Sequence, residues 1–288
     1  MKFPPSPALV LGATSLVGRF LVDRLVEAGV ETIAVSRRPQ RPRAGVTWVT
    51  ADLSALELPL DEHPQVTFSA APIWLLAPAL PVLGQAGVGR LVAFSSTSRF
   101  TKVGSPIESE REVVRLLTEG ETDVWSFCER AGIAWTILRP TVIYAEGLDR
   151  SITRLAGVIR KAHVLPLAGD GLGRRQPVHA DDLAEGAIAA AASLATTNRA
   201  YDVPGGETLS YRVMAERIFE GMGRKPRIVP IPPSLWRAGV SFASIWMAGM
   251  TTEMGSRMAE DLVFDSAPAE RDFQWRPRGF RPRFPGHA

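Results

Sequence analysis

The most constraining feature of this chain is an apolar run, Ala8–Leu11, that stops at Gly12 and leads past Gly18 into an amphipathic stripe. Leu16, Val17, Phe20, Leu21, Leu25 and Ala28 recur at helical spacing, and Gly29 closes the stripe. A strand, a tight glycine turn and a helix in immediate succession open a strand–helix–strand unit. The alternation then continues. Further short apolar runs predict strands at Thr32–Ser36, Thr47–Val49, Val66–Phe68, Leu91–Phe94 and Trp135–Leu138, with a long helix from Glu108 to Ala131 that ends at Gly132.

Runs this apolar suit strands covered on both faces, which is the condition of a parallel sheet. The expected fold is therefore α/β, a Rossmann-type doubly wound parallel sheet with a smaller C-terminal substrate lobe. Residues 1–140 form the dinucleotide-binding core in this reading, completed by segments around 176–203, and residues 141–288 form most of the lobe. Past Pro140 the pattern loosens into Gly- and Pro-rich stretches, with helices predicted at Asp181–Ala195 and Tyr211–Gly221.

The glycine turn carries the first chemistry. In Gly12-Ala13-Thr14-Ser15-Leu16-Val17-Gly18, Gly12 allows the tight exit from the strand and Gly18 lets the helix approach the sheet. Free amides at the helix start would meet a pyrophosphate. Ser15 replaces the middle glycine of the usual spacing; it offers a hydroxyl and an amide but demands a less permissive backbone. A plain packing turn is the alternative, although the strand before and helix after favour the dinucleotide.

At the end of the second strand, a site built for NAD carries an acidic residue for the ribose 2′-hydroxyl. This chain has Ser36-Arg37-Arg38 instead; two guanidiniums suit a 2′-phosphate, a solvated turn being the alternative. NADP is the expected cofactor, with NAD as the alternative. Asp52 and Leu53, after the third strand, are placed at the adenine. Ala70 and Ala71, after the fourth, complete the expected cofactor wall.

Several segments together resemble the extended short-chain dehydrogenase/reductase family, in its epimerase/dehydratase-like branch. They are Leu9-Val10-Leu11-Gly12-Ala13-Thr14, Ala51-Asp52-Leu53, Phe94-Ser95-Ser96-Thr97-Ser98, Leu138-Arg139-Pro140-Thr141-Val142-Ile143-Tyr144 and Gln176-Pro177-Val178-His179-Ala180-Asp181-Asp182-Leu183-Ala184. The resemblance covers nearly the whole chain. It implies that Thr97 or Ser96 contacts the reacting oxygen and that Pro140, Thr141 and Val142 line the nicotinamide. It also implies a dimer paired through the Glu108–Ala131 helix.

One departure from the family pattern matters. The family donates its proton from a tyrosine four residues before a lysine. Tyr144, Tyr201 and Tyr211 are followed at that distance by Leu148, Gly205 and Ala215. Aligning the long helix by Glu112 puts Gly104 and Glu108 at the two positions, and neither can serve. Lys102 is then either a substitute acid or base, or an exposed loop lysine. Tyr144 either reaches the substrate or packs. Ser95, Ser96, Thr97 and Ser98 either act or satisfy backbone groups at the strand end. Arg174 and Arg175 either resemble positions that grip a substrate phosphate in sugar-nucleotide enzymes or are solvated. His179, beside Asp181 and Asp182, is either an acid/base group or a packed residue whose neighbours cap the next helix.

Composition bounds the rest. A net charge of +3 with 45% hydrophobic and 22% charged residues is that of an ordinary globular chain. The cluster Arg276, Arg278, Arg281 and Arg283 reads as an ordered, solvated tail, so no nucleic-acid partner is expected. Cys128 is the single cysteine and the four histidines lie far apart, which argues against disulfides and metal. Leu235 to Met250 contains Arg237 and is too short to span a bilayer, so no membrane partner and a cytoplasmic setting are expected. Trp236 and Trp246 read as core residues. Two functions follow: an NADP-dependent oxidoreductase or epimerase-like enzyme on a small carbonyl or sugar-nucleotide-like substrate with a non-standard proton donor, or a non-catalytic dinucleotide-binding redox sensor or assembly subunit.

Overall fold

A computed structural model describes residues 6–58, 63–232, 234–236 and 257–284; Trp246 and most of the segment 235–250 lie outside the described residues. The chain forms two compact units. One comprises Met1–Thr141, Ala180–Val203 and Asp265–Arg276, the other Val142–His179, Pro204–Phe264 and Pro277–Ala288.

The first unit opens with β1 (Ala8–Leu11), α1 (Leu16–Glu27), β2 (Thr32–Ser36), β3 (Val46–Thr50), β4 (Val66–Ser69), α2 (Leu80–Gln85), β5 (Arg90–Phe94), α3 (Ser98–Thr101), α4 (Glu108–Ala131) and β6 (Ala134–Pro140). The second unit takes β7 (Ile143–Tyr144), α5 (Ile152–Ala162), β8 (Leu165–Ala168), β9 (Arg174–Arg175) and β10 (Val178–His179). The chain returns to the first unit for α6 (Ala180–Ala192) and β11 (Arg199–Val203). It leaves again for β12 (Leu209–Ser210), α7 (Tyr211–Gly221) and β13 (Ile228–Ile231), and comes back for α8 (Ala267–Phe273).

Seven parallel strands make the central sheet, in the order β11-β6-β5-β4-β1-β2-β3. The order reverses between β1 and β4, as in a doubly wound Rossmann-type sheet. Strand periodicity sorts the side chains between two covered faces. Leu9, Leu11, Ile33, Val35, Leu91 and Ala93 join Leu80, Leu83, Leu117, Val124 and Cys128 of α2 and α4 in one core cluster. On the other face α1 packs against α6, with Arg24 bridging Asp181 at 2.6 Å and Glu185 at 2.9 Å. Asp181 and Asp182 both stand in the first turn of α6, and Asp181 ties the two helices together.

The helix α4 ends as the glycine signal predicts, with Gly132 in the left-handed region at φ 70°. Cys128 is fully buried, and burial pushes its thiol up to about 12. In the second unit Ile152, Leu155, Ile159, Leu167, Ile218 and Phe219 build a separate core that also takes in Trp236 and Phe280. The C-terminal arginines Arg276, Arg278, Arg281 and Arg283 are all exposed. Arg281 and Arg217 hold the Glu207 carboxylate at 2.9 and 2.5 Å, chiefly through the Arg217 hydrogen bond, and bring its pKa down to about 2.

At Gly120 a β-carbon would stand 2.8 Å from the Trp74 amide nitrogen. Alanine is the better helix former by roughly 1 kcal/mol, so the two effects oppose each other. Gly120→Ala is expected to destabilise the protein by about 1–3 kcal/mol, since overpacking against backbone outweighs propensity. A Tm at or above the wild-type value would refute this close approach.

Candidate functional site

The carboxyl ends of β1 and β4 lie side by side because these strands pair directly, Leu11 opposite Ser69. The turn at Gly12 (φ 70°) consequently meets the Ala70–Ala71 backbone, where a Gly12 β-carbon would stand 2.7 Å from the Ala71 nitrogen. A β-carbon on Gly18 would overlap the Gly12 carbonyl oxygen. Both glycines are thus demanded by backbone approach. Ser15 behaves differently from the expectation. Its φ of −68° suits any residue, and its hydroxyl accepts the Gly18 amide at 3.1 Å as the N-cap of α1. Leu16 and Val17 form the first turn, whose amides have no intrahelical acceptor and face the open end of the helix. Thr14, Ser15 and Leu16 are part-exposed there.

At the end of β2, Ser36 is buried and its hydroxyl accepts the Arg38 amide at 3.3 Å and the Gln40 amide group at 3.4 Å. Arg37 and Arg38 are exposed, and among the described residues neither guanidinium pairs with a carboxylate. Asp52 and Leu53 follow β3. Leu53 packs into the core, and the Asp52 carboxylate accepts the amide and hydroxyl of Ser54 at 3.0 and 2.8 Å. Those bonds, with Arg37 adding attraction, hold the Asp52 carboxyl below the usual range.

A second cluster lies where β5 and β6 end. The Thr97 side chain is 6% exposed, and its hydroxyl donates to the Pro140 carbonyl at 3.0 Å. The Ser96 hydroxyl accepts the Ser98 amide at 3.1 Å. Hydroxyls expected to touch a substrate thus serve the strand ends in this geometry. Thr141 follows Pro140, and the Val142 carbonyl accepts the Val178 amide in the second unit. The Lys102 ammonium lies 3.2 Å from the Glu110 carboxylate, and its side chain is part-exposed. Glu112, used to align the helix, points outward to Arg115; Gly104 precedes α4 and Glu108 is exposed on it. The acidic residue on the inward face is Glu121, one and two turns after Leu117 and Val113.

Within the second unit, β7 and β10 set Tyr144 opposite His179. Tyr144 is 1% exposed, its ring edge-on to His179 and Phe280 at centroid distances of 5.0 and 4.9 Å. Nε2 of His179 lies 3.3 Å from the Glu146 carboxylate, which also accepts the Arg283 amide at 3.0 Å. Burial pushes Glu146 up, yet these bonds outweigh it and leave its carboxyl below the ordinary value. Arg175 corrects the phosphate-gripping expectation. It is 7% exposed, and its guanidinium donates to the carbonyls of Arg174, Glu260 and Arg257. Arg174 is exposed but paired with Asp261 at 2.8 Å. Among the described residues no group of three or more potential ligands could hold a metal ion, and no helix is long and apolar enough to cross a membrane.

Sequence reading missed Glu121 and Glu146. A charged residue at an apolar-stripe position (113, 117, 121, 124, 128) marked the first; nothing local marked the second.

Comparison with known proteins adds four findings. A model of the NAD dependent epimerase/dehydratase family matches residues 8–72 and 76–203. The chain is 24% identical over 249 residues to the mitochondrial NADH dehydrogenase (ubiquinone) 1 alpha subcomplex subunit 9 of Arabidopsis thaliana. That match covers 78% of this chain but spans only 60% of the relative's length. It is 27% identical over 234 residues to the (4-alkanoyl-5-oxo-2,5-dihydrofuran-3-yl)methyl phosphate reductase of Streptomyces griseus, covering 76% of this chain and 75% of the relative. Among solved structures, a UDP-glucuronic acid 4-epimerase from Bacillus cereus in complex with UDP-glucuronic acid and NAD superposes with a TM-score of 0.69 at 17% identity, covering 95% and 94% of the two chains.

The N-cap assignment of Ser15 has a direct test. Ser15→Ala is expected to cost about 1 kcal/mol of stability, and Ser15→Gly only a few tenths. Equal losses in chemical denaturation would refute the capping role.

Proposed function

Because the chain belongs to the NAD dependent epimerase/dehydratase family, we propose that it binds NADP(H) and acts as an oxidoreductase or epimerase-like enzyme on a small carbonyl or sugar-nucleotide-like substrate. The observation that carries the cofactor choice is the pair Arg37 and Arg38, exposed beyond β2 and without a carboxylate partner among the described residues. A 2′-phosphate would take two charge-assisted contacts there, where an acidic residue would have repelled it. The pyrophosphate would meet the first-turn amides of α1 beyond the Gly12 turn.

When bound, the nicotinamide supplies or accepts a hydride at its C4. The residues of this chain then have separable roles. Thr97, with Ser96, would orient a carbonyl oxygen after releasing its bond to Pro140, and Pro140, Thr141 and Val142 would bound the ring. The proton would come from a donor other than a tyrosine–lysine pair; Lys102 and Tyr144 are the candidates. Arg174, which the Asp261 pair leaves partly exposed, and His179 are the candidate substrate contacts.

A second reading is a dinucleotide-binding subunit without turnover. The commitment of the Ser96 and Thr97 hydroxyls to protein partners favours it, and the Arabidopsis relative is named as a subunit of a larger assembly.

Fluorescence titration separates the cofactors. Arg37→Ala combined with Arg38→Ala is expected to weaken NADPH binding by about tenfold or more while changing NADH binding little, since only NADPH carries the 2′-phosphate. Equal losses for both would overturn the NADP preference. For the enzymatic reading, Thr97→Val should lower turnover of any carbonyl substrate found by screening; unchanged turnover would remove Thr97 from the chemistry.

A further inference from the structure

Glu121 is a carboxylate 2% exposed on the sheet-facing side of α4, and it is the one acidic side chain in a stripe otherwise made of Val113, Leu117, Val124 and Cys128. Its two oxygens accept only, and every donor they meet comes from another segment. The Ser95 hydroxyl donates at 2.6 Å. Arg139 donates through Nε at 3.0 and 3.2 Å and through a terminal nitrogen at 2.6 Å. Arg99 closes the set from α3. Arg139 also lies 3.9 Å from Asp202 on β11.

Stability alone does not account for this arrangement. A buried ion cluster is seldom more stabilising than well-packed apolar side chains of similar volume. Leu117 and Val124 already hold α4 on the sheet in that way. What the carboxylate adds is direction. It fixes Ser95, which immediately precedes Ser96 and Thr97, and Arg139, which immediately precedes Pro140 and Thr141. Those two segments are also zipped together beyond their strands, Ser95 N to the Leu138 carbonyl at 2.8 Å and Thr97 N to the Pro140 carbonyl at 3.1 Å.

We infer that Glu121 is a positioning residue that sets the two segments bounding the nicotinamide half of the cofactor site, through Ser95 on one side and Arg139 on the other. It touches neither cofactor nor substrate. The inference rests on the cofactor reading above and deepens it: one buried carboxylate would govern the nicotinamide end, while the Gly12 turn and the arginines after β2 would govern the phosphate and adenosine end independently.

The test compares two probes on the full chain: NADPH, and 2′-phospho-ADP-ribose, which is the same dinucleotide without its nicotinamide ring. Glu121→Gln is expected to weaken NADPH by on the order of tenfold and to leave 2′-phospho-ADP-ribose within about twofold. A merely structural role would lower both affinities together. Ser95→Ala removes one uncharged donor and leaves both guanidinium pairs in place, so it carries the same comparison if Glu121→Gln does not fold; its expected shift is smaller but equally confined to NADPH. Equal weakening of both probes, or no change in either, in the folded variant overturns the positioning role alone. A wild-type chain that binds neither probe overturns the cofactor reading and this inference with it.

Discussion

The direct pairing of β1 with β4 is the constraint on which the proposed cofactor site depends. Two strands far apart in the chain end side by side, and the reversal of strand order opens a crevice at their carboxyl ends. Gly12 and the Ala70–Ala71 backbone meet there at a separation that leaves no room for a β-carbon. The first turn of α1 then presents its amides at the same edge, because Gly18 allows the helix to start against the turn. Moving β4 elsewhere in the sheet would remove the close approach that demands a glycine at position 12, while Gly18 would still be held by the Gly12 carbonyl.

Hydrogen-bond satisfaction decides how much of the remaining polar chemistry is available to a ligand. A buried polar group must find a partner, and in this fold many find one within the protein. Arg175 gives its guanidinium to three backbone carbonyls, and Thr97 gives its hydroxyl to Pro140. Arg37 and Arg38 are in the opposite situation, exposed and without a carboxylate partner. That contrast separates cations that hold the structure from cations able to take a charged ligand. The Glu121 carboxylate is likewise committed to the protein, and its partners Ser95 and Arg139 stand at the carboxyl ends of β5 and β6.

Much of the architecture was legible because it depends on periodicity. The apolar runs of β1 and β2 and the 24-residue helix α4 with its terminal glycine follow from local pattern. Side-chain roles were less legible. Glu112 and Glu121 look alike in sequence and differ by nine positions, but one faces water beside Arg115 and the other faces the sheet. Asp181 or Asp182 was expected at the start of a helix; both stand in the first turn of α6, and Arg24 of a distant helix reaches Asp181. Each of these was settled by which partner lay nearest in space.

By itself the amino-acid sequence determined the class of fold, the glycine turn between strand and helix, and the arginine pair where an acidic residue would select NAD. These are local facts, set by backbone sterics, burial periodicity and charge along a few consecutive residues. Only the tertiary structure decided which hydroxyls and guanidiniums are committed to the protein, that Ser15 caps a helix, and that Glu121 gathers Ser95, Arg99 and Arg139. Hydrogen bonds between residues tens of positions apart exist only once the chain has folded, and no local pattern encodes which donor will reach which acceptor.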